Sequence, residues 1–196
     1  MSGAVNRLLV IGGNGFIGRH VVAHAIAQNW SVTSLSLSGA NPQAVPGVTC
    51  IAADITDLEK LRTALPTNSF EYAVNCGGYI DHTLFFQGGR QLLDTHFTGL
   101  MNIVELLDRS TLKGFVNIGS SDEYGSLPAP QTESQRELPI SPYSMGKVAA
   151  THFLQMLHRT EFFPSTTLRL FLTYGPGQEG RRFLPQIISG CLQNKM

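Results

Sequence analysis

The sequence predicts a doubly wound α/β fold, a parallel sheet covered by helices on both faces. Two patterns predict it. Short apolar, β-branched runs alternate with longer segments of helical period along the chain. The first run passes straight into a cluster of glycines and then into a helical pattern. A third observation sets the scale of the core. Of 196 residues only 14% are charged, against about 25% in an average soluble protein, and 42% are hydrophobic. Such a chain buries a large core, which excludes intrinsic disorder. Fourteen basic and fourteen acidic side chains cancel, so no electrostatic footprint for nucleic acid or an acidic membrane exists.

The elements follow in order. Arg7–Ile11 is the first strand, since Leu8-Leu9-Val10-Ile11 is too short for a membrane span and lacks a cleavage signal. Further strands are expected at Ser31–Leu35, Thr49–Ala52, Tyr72–Asn75, Gly114–Ile118 and Thr166–Leu170. Helices are expected near Phe16–Gln28, Leu58–Leu65, Gln91–Asp108 and Tyr143–Phe162, the last with an apolar stripe of Val148, Phe153, Met156 and Leu157. Alternation of this kind produces βαβ units. The segment Ser126–Ser141 holds three of the ten prolines and is the longest break in the pattern, and long ordered loops tend to carry function. Cys50, Cys76 and Cys191 are an odd set at long spacings, read as buried free thiols in a reducing, cytoplasmic setting.

After the first strand comes Gly12-Gly13-Asn14-Gly15-Phe16-Ile17-Gly18. Glycines between a strand and a helix let backbone approach a pyrophosphate seated on the helix N-terminus. The spacing reads as G-x-G-x-x-G from Gly13 and as G-x-x-G-x-x-G from Gly12, and the strand–turn–helix context supports dinucleotide binding. The usual companion, an acid about 20 residues on, is missing. The second strand ends in Ser34-Leu35-Ser36-Leu37-Ser38, and no Asp or Glu precedes Asp54. Nothing there repels a 2′-phosphate, and Arg19 either reaches one or is a solvated side chain. The cofactor is therefore NAD(P), with a lean to NADP.

Tyr143-Ser144-Met145-Gly146-Lys147 sets a phenol and an ammonium four apart on one helix face. A phenol titrates near pH 10, and a nearby positive charge favours its phenolate. The strand Phe115–Ile118 ends in Gly119-Ser120-Ser121. Ligands in parallel sheets bind beyond the carboxyl ends of strands, so these serines are expected to face the cleft.

Taken together, these features resemble the extended short-chain dehydrogenase/reductases, in particular the NAD-dependent epimerase/dehydratase family that acts on nucleotide sugars. The resemblance rests on Gly12–Gly18, Asp54-Ile55, Asn75-Cys76-Gly77-Gly78, Ser120-Ser121-Asp122-Glu123-Tyr124-Gly125, Tyr143–Lys147, and Leu168-Arg169 through Tyr174-Gly175-Pro176-Gly177. It implies a Rossmann-type fold in which Gly12–Gly18, Arg19 and Ser36 meet the cofactor. It also implies that Asp54 and Ile55 border the adenine, and that Cys76, Gly77 and Gly78 line the cofactor's middle. Ser120 takes the place of the family's catalytic hydroxyl. Tyr143 is the implied proton donor or acceptor, and Lys147 holds the nicotinamide ribose and tunes Tyr143.

The expected reaction is oxidoreduction of a nucleotide sugar, first a 4-ketoreduction. Epimerisation, 4,6-dehydration and a non-catalytic dinucleotide-binding role are the alternatives. Ser121 and Asp122 are expected on the substrate side, although Asp122 and Glu123 could equally cap the turn. Arg181 and Arg182 either clamp a diphosphate or are surface charge. His20 and His24 have metal-compatible spacing but lack a third ligand, so no metal is expected. The expected partners are the nucleotide sugar and a second copy in a homodimer, with no nucleic acid and no membrane.

Three departures from the family pattern stand out. His96 and Leu172 replace asparagines, and the chain stops at Met196, soon after Arg181–Pro185, where relatives continue. The expected division is a cofactor domain at 1–174 and the start of a substrate-binding region at 175–196, whose remainder is absent or truncated.

Overall fold

The computed structural model describes residues 5–39, 45–65 and 70–194. Six strands form one parallel sheet in the order β3-β2-β1-β4-β5-β6. They are β1 (Arg7–Ile11), β2 (Ser31–Ser36), β3 (Thr49–Ala52), β4 (Tyr72–Asn75), β5 (Gly114–Ser120) and β6 (Ser165–Leu170). The order reverses between β1 and β4, so the crevice beyond their carboxyl ends is the topological switch point.

β1 shows why the sheet forms where it does. Leu8, Leu9, Val10 and Ile11 are all buried, as a central strand covered on both faces requires. Because side chains alternate across a strand, Leu8 and Val10 join Val22 and Ala25 of helix α1 (Phe16–Ala27) on one face. Leu9 and Ile11 pack on the other face with Leu61, Leu100, Ile103 and Leu154. Those four come from helices α2 (Leu58–Ala64), α4 (Gly99–Leu106) and α5 (Pro142–Glu161). The doubly wound fold is therefore the one the sequence predicts.

Four differences are informative. The helix expected across Gln91–Asp108 is α3 (Arg90–Leu93), a π-helical turn (Asp94–Thr98) and then α4. The wider turn seats the His96 ring beneath Gly78, and such insertions often sit at functional sites. β5 runs two residues past Ile118, through Gly119 and Ser120, because β6 continues to pair with it there. On α5 the expected apolar stripe is met in part: Val148 is buried and Phe153 and Leu157 pack against the core, whereas Met156 is 44% exposed, and Tyr143, Lys147, Ala150, Thr151 and Leu154 also face inward. Cys50 and Cys76 are half-buried, but Cys191 is exposed, contrary to the expectation of three buried thiols. It lies on α6 (Phe183–Leu192), which buries none of its residues.

Candidate active site

Gly12 stands at the switch point with φ +73 and backbone contacts that only glycine permits. A Cβ there would lie 2.8 Å from the Cys76 carbonyl group, so the end of β1 is in direct backbone contact with the end of β4. At Gly18 a Cβ would lie 2.2 Å from the Gly12 carbonyl oxygen, which is how the first turn of α1 closes onto the glycine loop. Gly13 lies against Ser34. Gly15 is the N-cap of α1 and offers no side chain to the free N–H groups of Phe16, Ile17 and Gly18. An uncapped helix N-terminus behind a backbone-only turn fits a diphosphate.

The second strand's serines have local work. Ser36 Oγ accepts the Asn14 N–H at 3.1 Å, and Asn14 Nδ2 donates to the carbonyls of Ser38 and Gly39 at 3.0 Å each. Arg19 donates to the Gly177 carbonyl and lies over the Phe16 ring, which draws the 175–177 turn against α1. His20 Nε2 stands 3.1 Å from the Pro176 carbonyl oxygen at the same contact. Asp54 Oδ1 accepts from Thr56 N and Oγ1, while the Ile55 carbonyl accepts Asn102 Nδ2 at 2.8 Å. Cys76, Gly77 and Gly78 follow β4 into the crevice, and burial pushes the Cys76 thiol up to about 12.

Ser120, Tyr143 and Lys147 converge at the end of β5 and the start of α5. Ser141 caps α5 with a reciprocal capping box, and Pro142 sits in its first turn. This fixes the first turn that carries Tyr143. Ser120 Oγ accepts the Asp122 N–H at 3.1 Å, so its own hydrogen stays free to donate, and it is close enough to Tyr143 to act on the phenol's protonation. Lys147 Nζ donates to the Ile118 carbonyl at 2.8 Å and lies 5.9 Å from the Tyr143 ring centroid.

Burial dominates the protonation states of these groups. It holds Tyr143 above the ordinary phenol range, more than the nearby Ser120 hydroxyl and the Arg182 charge pull it down. Burial likewise lowers Lys147 to about 8. The expected lowering of the phenol by Lys147 is therefore not a property of the protein alone, because the ammonium is turned to the Ile118 carbonyl.

Two histidines flank Tyr143. The His96 ring meets it edge-on at 4.9 Å and the His82 ring at 6.0 Å. His96 Nε2 lies 2.9 Å from the Tyr79 carbonyl oxygen, which assigns the proton to Nε2. Its Nδ1 is then a buried acceptor without a partner among the described residues. Burial, and next the Lys147 charge, drive its pKa down to about 3.

Beside these groups a cavity of about 280 Å³ is lined by His82, Ser121, Asp122, Gln131, Ser141 and Phe171, among others. His82 Nε2 lies 3.9 Å from Asp122 Oδ2. Glu123 turns inward and caps Ser120, whereas Asp122 opens to the cavity. Of the two arginines, Arg182 is near enough for its charge to act on Tyr143, while Arg181 pairs with Glu179 at 2.7 Å. His82 and Asn102 have no local signal in the sequence, since their partners Asp122 and Ile55 lie 40 and 47 positions away, while Glu123 takes the capping role that the turn allowed.

A family model described as the NAD dependent epimerase/dehydratase family matches residues 8–196. The chain belongs to that family. A dTDP-glucose 4,6-dehydratase of Haemophilus influenzae is 26% identical over 211 residues, covering 96% of this chain and 62% of that enzyme. One from Mycobacterium tuberculosis is also 26% identical, with 96% and 60% covered. Among solved structures, the dTDP-glucose 4,6-dehydratase of Streptomyces venezuelae, which holds NAD, superposes with a TM-score of 0.80 at 25% identity. The match covers 96% of this chain and 62% of that one. A UDP-galactose 4-epimerase gives a TM-score of 0.80 at 21% identity, covering 96% and 63%. The chain thus spans about three-fifths of the length of these relatives. Among the described residues no helix is long and apolar enough to cross a membrane.

Proposed function

We propose that this chain binds a nicotinamide dinucleotide at Gly12–Gly18 and uses Ser120, Tyr143 and Lys147 for oxidoreduction of a nucleotide sugar, as a 4-ketoreductase. The observation that carries the reading is the convergence of Ser120, at the end of β5, with Tyr143 and Lys147, at the start of α5, near the glycine turn at the switch point. A bound reduced nicotinamide supplies the hydride for the keto carbon. Ser120 donates a hydrogen bond to the sugar's carbonyl oxygen and stabilises charge as it develops there. Tyr143 gives that oxygen its proton and becomes the phenolate. Burial keeps Tyr143 in the protonated form that this direction starts from. Lys147 lies one turn along the same helix face, 5.9 Å from the ring centroid, and its ammonium stabilises the phenolate once it turns from the Ile118 carbonyl. The region from 175 onward begins the sugar-nucleotide side, with Arg182 placed to meet a diphosphate. Family membership favours NAD. The acid-free end of β2 adds that NADP binds at least as tightly.

A second reading, 4,6-dehydration, is favoured by Asp122, which faces the cavity beside His82 and has the reach to move a proton during elimination. The dehydratases among the relatives point the same way. Two assays separate the readings. NADH or NADPH is mixed with a dTDP-4-keto-6-deoxyhexose, and NAD⁺ with dTDP-glucose. Consumption of reduced cofactor in the first supports ketoreduction. Formation of a 4-keto-6-deoxy product in the second overturns it in favour of dehydration, and turnover in neither leaves only dinucleotide binding.

A further inference from the structure

Beneath Ser120 lies a carboxylate that these proton transfers do not use. Glu123 closes the 3-10 turn Ser121–Glu123 and is wholly buried. Its Oε1 accepts the Ser120 N–H at 3.0 Å. Its Oε2 accepts Thr151 Oγ1 and Arg169 Nε, each at 2.8 Å. Its carbonyl accepts the Leu138 N–H at 3.2 Å. One residue therefore joins four parts: the tip of β5, helix α5 one turn beyond Lys147, the outer strand β6, and the loop 126–141 that lines the cavity. Arg169 extends the junction. Its guanidinium lies 4.8 Å from the Tyr124 ring centroid and pairs with Glu137, which also meets His152 Nε2 at 3.1 Å.

Space has been left for this carboxylate. A Cβ on Gly119 would lie 2.5 Å from Glu123 Oε1 and 2.9 Å from Thr167 Cγ2. A buried ion pair gains little stability over an apolar filler of similar size, but removing one member leaves the other unpaired at high cost. The arrangement therefore makes sense as geometry. Ser120 is extended at φ −145, ψ 148, with its N–H on Glu123 and its Oγ accepting the Asp122 N–H. Both of these anchors fix the direction in which its hydroxyl points.

We propose that Glu123 is a positioning residue, which locks Ser120 towards Tyr143 and keeps the loop 126–141 and helix α5 in register with it. The proposal rests on the reading of Ser120 and Tyr143 as partners. The Glu123 charge is also felt at the site, where it raises both Tyr143 and Lys147.

The test compares Glu123→Gln, which keeps the shape and loses the charge, with Gly119→Ala, which keeps the charge and displaces the carboxylate. Hydrogen–deuterium exchange on the full chain is expected to quicken at least about ten-fold in 119–125 and 126–141 together, with β1 and α1 unchanged. In Glu123→Gln the Tyr143 phenol, followed by NMR of ring-labelled tyrosine and assigned with Tyr143→Phe, should titrate lower than in wild type. With NADH and a dTDP-4-keto-6-deoxyhexose, kcat should fall about 10–100-fold in both variants while KM and NADH affinity stay within two-fold or so. Exchange that quickens uniformly, or not at all, overturns the proposal, as does wild-type kcat in both variants. If wild type itself fails to reduce the sugar, the functional reading fails, while exchange and titration still decide the role of Glu123.

Discussion

Replacing His96 by asparagine should remove a specific part of the protein's acid sensitivity. The His96 imidazole is 5% exposed, hydrogen-bonds to the Tyr79 carbonyl, and is driven down to about 3 from an ordinary 6.5 by burial and the Lys147 charge. The folded state therefore keeps it neutral, while the unfolded chain protonates it below about pH 6.5. Between those values the unfolded state binds more protons, so stability falls as pH falls. The loss is about 1.4 kcal/mol per pH unit, or about 3 kcal/mol by about pH 4.5. Asparagine cannot titrate, and carboxylates and other histidines contribute alike to both proteins and cancel in the difference. The assay is urea unfolding of wild type and His96→Asn at steps between about pH 7.5 and 4.5. Asparagine should cost some packing at the upper end, and the curves should then converge or cross as acid is added. Parallel curves would refute the reasoning and place a proton, or water, on His96 in the folded state.

Other expectations follow from the same contacts. Gly15→Val should lose most NAD⁺ and NADP⁺ affinity by calorimetry with little loss of fold, since the branched side chain covers the uncapped α1 N-terminus; unchanged affinity would place the dinucleotide elsewhere. Lys147→Met should stabilise the ligand-free protein at neutral pH by about 2 kcal/mol, because it removes a buried ammonium lowered from 10.5 to about 8 at the cost of one hydrogen bond. The sign follows from protons again: wild type regains stability as pH rises above about 8, while the variant does not, and a variant less stable at every pH would contradict this. Gly78→Ala should unfold near the site or lose about 2 kcal/mol or more in denaturant, since Gly78 has φ +112 and a Cβ would lie 2.2 Å from His96 Cε1.

Much of this protein could be read from local pattern. β1, β3 and β4 lie at their predicted ends because apolar runs bounded by polar or glycine residues mark strands without help from distant partners. The glycine turn was legible for the same reason. In the sequence Ser120 reads as lying just past its strand, because a glycine marks a break; pairing with β6, which is 50 positions away, carries the strand through it. On α5 hydrophobicity marks only part of the buried face, since Val148, Phe153 and Leu157 pack inward but so do polar side chains. Tyr143, Lys147 and Thr151 are buried through Ser120, the Ile118 carbonyl and Glu123. The Glu123–Arg169–Glu137 cluster has no sequence signature, since its members are 14 to 46 positions apart and only the fold brings them together.

The central claim is that Tyr143 protonates a sugar oxygen while hydride reaches the adjoining carbon. The most direct measurement is transfer of deuterium from NADH or NADPH labelled at the nicotinamide C4 to a dTDP-4-keto-6-deoxyhexose, followed by mass spectrometry of the sugar product in single turnover. Wild type should give product with one deuterium at C4, and Tyr143→Phe should give it about 10²–10⁴-fold more slowly at unchanged cofactor affinity. Equal rates of deuterium transfer in wild type and Tyr143→Phe would contradict the account.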